Sequence, residues 1–249
     1  MVKGLDVFRE YFKDYTDQYV LIGGTACTVA FEQQNESFGR TTKDLDIVLI
    51  VEALTEEFGK KFWQFITDGK YRNRVKSNGR PQFYRFDKPE EPDFPEMIEI
   101  FARTEMILAE TTPVVPIHID DSVSSLSAIL LNAAYYQLLL DGRTVIDELS
   151  VLKPTWLIPL KVKAYIDLKQ SGNADSKDIK KHRNDIVRIV AGTLLEKCTL
   201  PEEVRNDMKQ FIDSFEISDA ELKNLNIRGV KSKEIKAVLE EIYFNHETH

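Results

Sequence analysis

The chain has 249 residues, with 33 Lys and Arg against 41 Asp and Glu, a formal charge of −8. That balance excludes the overall basic field of a nonspecific nucleic-acid binder, while leaving room for a local basic patch. Cys27 and Cys198 are the only cysteines, so neither a disulfide framework nor a thiolate metal site is expected.

The opening segment, MVKGLDVFREYFKDY, carries charges every few residues and has no apolar leader run. No stretch approaches the ~20 apolar residues that a bilayer-spanning helix needs, so a cytoplasmic protein with no membrane partner is expected. Residues 6–12 have helical spacing, and QYVLIGG at 18–24 is a short apolar strand stopped by two glycines. Residues 25–34 read as a helix, and 45–51, within TTKDLDIVLIV, as a buried strand. LTEEFGKKFWQFITDG at 54–69 begins at a Thr N-cap with acids in its first turn. Asn78-Gly79, set between alternating runs, predicts a type I′ hairpin. The acidic, proline-rich segment 88–95 leads to another strand at 96–103.

From about residue 122 the pattern turns helical, at 124–142, 159–172 and 176–195, then at 201–215 and 232–244. Pro113 and Pro116 mark the stretch 103–123 as a join. The expected architecture is therefore an α/β (α+β) domain with a mixed β-sheet over residues 1–115, followed by a helical domain over 116–249.

Three places carry candidate chemistry. Asp44 and Asp46 are two residues apart on a strand, so their carboxylates share a face. Two such carboxylates suit Mg²⁺, or Mn²⁺ in its place, which completes its shell with water and substrate phosphates. The same pair also reads as a turn-capping Asp and a Lys-paired Asp. Gly23-Gly24-Thr25 stands where a strand meets a helix, where glycines let backbone approach a ligand and free N–H groups attract phosphate. A tight turn alone would also use them. Glu99, between Ile98 and Ile100, points away from the apolar face, either toward the aspartates or into solvent.

In that order, Gly-Gly at a strand-helix turn, D-x-D on the next strand and a later carboxylate resemble the nucleotidyltransferase fold of the DNA polymerase β superfamily. LIPLKVKAYIDL resembles the L-K-x-x-A helix motif of AbiEii-type and MenT-like nucleotidyltransferases, found in abortive infection and toxin–antitoxin pairs. YVLIGGTA and RTTKDLDIVL resemble that family's opening motifs, so the likeness runs from about residue 18 to 195.

The resemblance implies that Gly23, Gly24 and Thr25 bind nucleotide. It implies that Asp44 and Asp46, helped by Glu99, ligate Mg²⁺, and that Lys161 in the helical domain contacts nucleotide phosphates. The family's last motif is an acid-bearing helix, here within 176–195. Asp178 and Asp185 compete for its register, and Asp178 is preferred because Lys177 precedes it. The implied reaction moves an NMP from an NTP to an acceptor hydroxyl with pyrophosphate release. The implied acceptor is tRNA, in a toxin or phage-defence role with a cognate antitoxin; a small-molecule acceptor suits the same chemistry.

Lys169, Lys177, Lys180, Lys181, His182, Arg183 and Arg188 cluster on or near the 176–195 helix, the expected place for a polyanion such as tRNA. A solvated helix face would carry the same residues. Arg72, Arg74 and Lys76 alternate in phase and extend that expectation to the hairpin. The competing functional reading is a nucleotide- or partner-binding protein with this fold and no turnover.

Overall fold

The structure is a computed structural model. It describes residues 2–40, 42–75, 81–102, 106–109, 112–114, 129–130, 132–172 and 175–245. The chain forms two compact units. The first comprises Met1–Val29, Thr41–Leu131 and Arg143–Leu152; the second comprises Ala30–Arg40, Asn132–Gly142 and Lys153–His249.

The first unit is built on a mixed sheet. Its strands are β1 (Tyr19–Ile22), β2 (Asp44–Leu49), β3 (Arg72–Val75), β4 (Pro81–Asp87), β5 (Met97–Phe101), β8 (Arg143–Ile146) and β9 (Leu149–Leu152). They lie in the order β3-β4-β5-β2-β1-β9-β8. β6 (Met106–Ala109) and β7 (Thr112–Val114) form a separate antiparallel pair. β2 runs parallel to β5 and antiparallel to β1, while β9 runs parallel to β1.

Alternation along the strands sorts the sheet into two faces. Leu45, Ile47, Leu49, Tyr19, Leu21, Phe86, Ile98 and Ile100 share one, through register pairs such as Tyr19 with Leu49 and Phe86 with Ile98. Helices α1 (Leu5–Phe12) and α3 (Glu56–Asp68) cover this face with rings. Phe8 meets Tyr19 edge-on at 5.3 Å, and Phe62 meets Phe86 at 5.8 Å. Such edge-to-face contacts add to the burial of large apolar surfaces. The other face carries Asp44, Asp46, Met97, Glu99, Arg85 and Asp87. Half-burial of Asp44, Asp46, Met97 and Glu99, set against buried neighbours, follows from that alternation.

Several expected elements match closely. Thr55 caps α3, its hydroxyl accepting from Phe58 N at 3.2 Å. Strands β3 and β4 pair antiparallel, as the hairpin reading requires, while Asn78-Gly79 and Lys76 lie outside the described residues, as does most of the join at 103–123. The expected single boundary at 115/116 is corrected. The hairpin β8–β9 returns from the helical half to extend the sheet, while residues 30–40 belong with the helices. Its turn places Asp147 and Glu148 at φ 47° and 60°, the left-handed geometry of a type I′ turn.

The second unit is helical: α4 (Ala133–Asp141), α5 (Pro154–Ser171), α6 (Ser176–Gly192), α7 (Glu202–Asp213), α8 (Asp219–Asn224) and α9 (Ser232–Tyr243), with the end of α2 (Gly23–Gln33). Helix α5 is the axis of this unit, burying Leu157, Ile158, Leu160, Val162, Ala164 and Ile166. It starts five residues before the expected 159, with Pro154 at its first position, and passes through Pro159. Pro159 has no N–H to offer the carbonyl four residues back. That carbonyl, Thr155 O, accepts instead from the buried Tyr243 hydroxyl of α9 at 2.6 Å. No helix among the described residues is long and apolar enough to cross a membrane.

Candidate functional site

Register pairing in the first unit aligns Arg85, Glu99, Asp46 and Ile22 across β4, β5, β2 and β1. Register partners point to the same side of a sheet, so Glu99 shares the face of Asp44 and Asp46. The sequence expectation on this point holds.

Asp46 is tied to the start of α2. Gly23 has φ 64°, and a Cβ added there would fall 2.0 Å from Asp46 Oδ2. The glycine is thus required twice, by its left-handed backbone and by the carboxylate resting against it. A carboxylate at the first turn of a helix is stabilised by the macrodipole. Thr25 is fully buried, and its hydroxyl donates to Asp44 O at 2.8 Å. Its side chain therefore pins α2 to the first residue of β2, which corrects the expectation that it faces a nucleotide. Beside Asp44 opens a cleft of about 470 Å³, walled by Lys3, Lys43, Lys88 and Asp87.

Glu99 departs from expectation. Its carboxylate is ion-paired with Arg85 on the neighbouring strand, with the Glu99 side chain 16% exposed. Among the described residues, no group of three or more His, Cys, Asp and Glu side chains is arranged to hold a metal ion. Asp44 and Asp46 alone match the one or two carboxylates through which Mg²⁺ binds alongside substrate phosphates and water. A three-carboxylate cage is not formed among the described residues.

The second unit holds the other charged cluster. Asp185 on α6 is 1% exposed and faces three cations. Lys161 Nζ donates to its Oδ2 at 3.0 Å, and Arg40 approaches both oxygens at 3.3 Å. Arg188 lies 3.6 Å from Oδ1. His182, Asp185 and Arg188 stand three residues apart, on one face of α6. Burial pushes the Asp185 carboxyl up, but Lys161, Arg40 and Arg188 outweigh it and hold the carboxyl below its ordinary range. Burial, reinforced by Lys161, lowers His182 to about 4. Arg40 Nε, Arg188 Nε and His182 Nδ1 are buried without an aligned hydrogen-bond acceptor. One carboxylate against three cations leaves a half-buried surplus of positive charge, which suits an anion with several oxygens.

Asp185 is the residue brought to Lys161, whereas the preferred Asp178 is exposed in the first turn of α6. α6 turns the segment around Asp178 into solvent. Lys169, Lys177, Lys180 and Lys181 are exposed as expected. Arg183 is not available in the same way: it binds Glu221 at 2.6 Å and Glu216 O at 3.2 Å, where it supports the α8 cap. Arg72 is exposed on β3, and the side chain of Arg74 lies outside the described residues.

Sequence reasoning missed Arg85 and Arg40 as partners of these acids. Arg85 could have been found from the β4 alternation, which sets it in phase with Asp87. Arg40 carries no local signal, since its partner is 145 residues away. The chain matches no family model, no curated protein and no solved structure with which it was compared.

Proposed function

We propose that the chain is a Mg²⁺-dependent nucleotidyltransferase of the AbiEii/MenT-like type, moving an NMP from an NTP to an acceptor hydroxyl. The observation that carries this reading is the pair Asp44 and Asp46 on one sheet face, with the Asp46 carboxylate against Gly23 where α2 begins. Mg²⁺, when bound, would supply Lewis-acid polarisation of the phosphoryl oxygens. Asp44 and Asp46 would hold it. The acceptor oxygen attacks the α-phosphorus as the bond to the bridging oxygen breaks, pyrophosphate leaves, and the hydroxyl proton passes to solvent. Positioning and electrostatics carry most of such a reaction. The exposed Lys177, Lys180 and Lys181 suit a tRNA acceptor.

Incubation with each labelled NTP and total tRNA tests the activity. Label on tRNA from the native chain, lost in Asp44→Ala, supports it. No transfer with any NTP ends the tRNA reading and leaves a small-molecule acceptor to be tried. The toxin role, with a cognate antitoxin, predicts growth arrest on induced expression, relieved by Asp46→Ala.

A nucleotide-binding protein without turnover is favoured by one observation, the engagement of Glu99 by Arg85. Calorimetry showing tight NTP–Mg²⁺ binding, with no pyrophosphate release against any acceptor, would select that reading.

A further inference from the structure

Lys161 of the helical unit lies two residues beyond Pro159 on α5. A proline inside a helix leaves the carbonyl four residues back without its N–H partner, and its ring presses on that carbonyl. The two halves of such a helix can therefore hinge against each other. Where Lys161 sits depends on how the turn before Pro159 is fixed, and in this chain that turn is fixed at one residue. Thr155 is 2% exposed, and two of its oxygens are engaged: its carbonyl by the Tyr243 hydroxyl at 2.6 Å, its own hydroxyl by Glu196 N at 3.2 Å. Cys198 N donates to Ile242 O at 3.1 Å, tying the segment that carries Glu196 to the last turn of α9. Tyr243 is itself buried, and burial holds its phenol well above the ordinary value, so the hydroxyl stays a donor.

We infer that Tyr243 is a positioning residue for the basic cluster: by giving Thr155 O the hydrogen bond that Pro159 withholds, the last residue of α9 sets the course of α5 and so the seat of Lys161 beside Asp185. A buried carbonyl left without a partner is costly, so without the hydroxyl the turn at Thr155 shifts to find one, and the hinge at Pro159 passes the shift on. The C-terminal helix is thereby a strap on the cluster, although it carries none of Arg40, Lys161, His182, Asp185 and Arg188. The inference goes beyond the transferase reading and holds whether or not the chain turns over a nucleotide.

His182 reports the position of Lys161. Burial lowers its pKa first, then the charges of Lys161 and Lys181; Arg40 acts in the same sense and Asp185 in the opposite one. The test is an NMR titration of the His182 ring in the full chain, its signal identified by its loss in His182→Gln. Tyr243→Phe removes the hydroxyl and keeps the ring, so Lys161 draws away and the His182 pKa rises by about half a pH unit or more. In a Pro159→Ala background residue 159 regains an N–H for Thr155 O, and adding Tyr243→Phe there moves His182 by less than about 0.2 pH units. An equal shift in both backgrounds, or none in the native one, overturns the inference. Should Pro159→Ala fail to fold, Ile242→Val decides, since it loosens the same turn of α9 and keeps the hydroxyl. A shift smaller than that of Tyr243→Phe then supports the inference, and an equal or larger one overturns it.

Discussion

The two charged clusters are opposites in sign and in setting. On the sheet face of the first unit, Asp44, Asp46 and Glu99 outnumber Arg85, and Asp44, Asp46 and Glu99 are half-buried. In the helical unit, Arg40, Lys161 and Arg188 outnumber a single, nearly inaccessible Asp185. The difference teaches which carboxylates the fold depends on. Asp185 compensates one nearly buried cation, Lys161, and two half-buried ones, Arg40 and Arg188, so it holds structure together. Asp44 and Asp46 instead sit half-buried on a strand face, with the Asp46 carboxylate against Gly23 at the start of α2.

The sharpest break between the two is removal of one carboxylate from each. Asp185→Asn should cost about 3–5 kcal/mol, because buried cations lose their partner; urea denaturation measures it. Lys161→Met should cost far less, since Arg40 and Arg188 still neutralise Asp185.

Acidification separates the clusters next. His182 is lowered from an ordinary 6.5 to about 4, chiefly by burial. Between those values the unfolded chain takes up a proton that the folded chain refuses, so stability falls as pH falls through this window. The loss is on the order of 3 kcal/mol, and His182→Gln should flatten it in denaturation curves recorded across the window. Asp185, depressed below its usual range, adds its own loss only at lower pH, as its carboxylate is protonated.

On the acid face, Gly23→Ala should destabilise by about 2 kcal/mol, from left-handed backbone and displacement of Asp46. Calorimetric melting is the measurement, and Mn²⁺ affinity should fall with it. The smallest effect has the opposite sign: Asp44→Asn, melted without divalent ions, should be neutral or more stable by up to about 1 kcal/mol. A clear loss there would mean that Asp44 is structural, and the contrast between the clusters would dissolve.

Much of this was readable from local pattern. The faces of Asp44, Asp46 and Glu99 follow from alternation alone, and Thr55 announces the start of α3. What was not readable depends on distant chain. β8–β9 escaped notice because its turn uses Asp147 and Glu148 in left-handed geometry, where a glycine or asparagine would have marked it. Pro159 looked like a helix start because nothing nearby shows that Tyr243 satisfies Thr155 O. That Asp185 is the acid buried beside Lys161 was not readable either, because burial on α6 is set by packing against α5, which no window around residue 185 contains.

The Arg40–Asp185 contact has a consequence for how the protein comes to be made. Its two ends are separated by 145 residues, so at a ribosomal pace of roughly 5–20 residues per second Arg40 waits about seven to thirty seconds for its counterion. Throughout that interval the nascent chain displays a cation that ends half-buried, held open to solvent or to chaperones. The helical unit can therefore close only late in translation, and any pause before codon 185 lengthens its exposure.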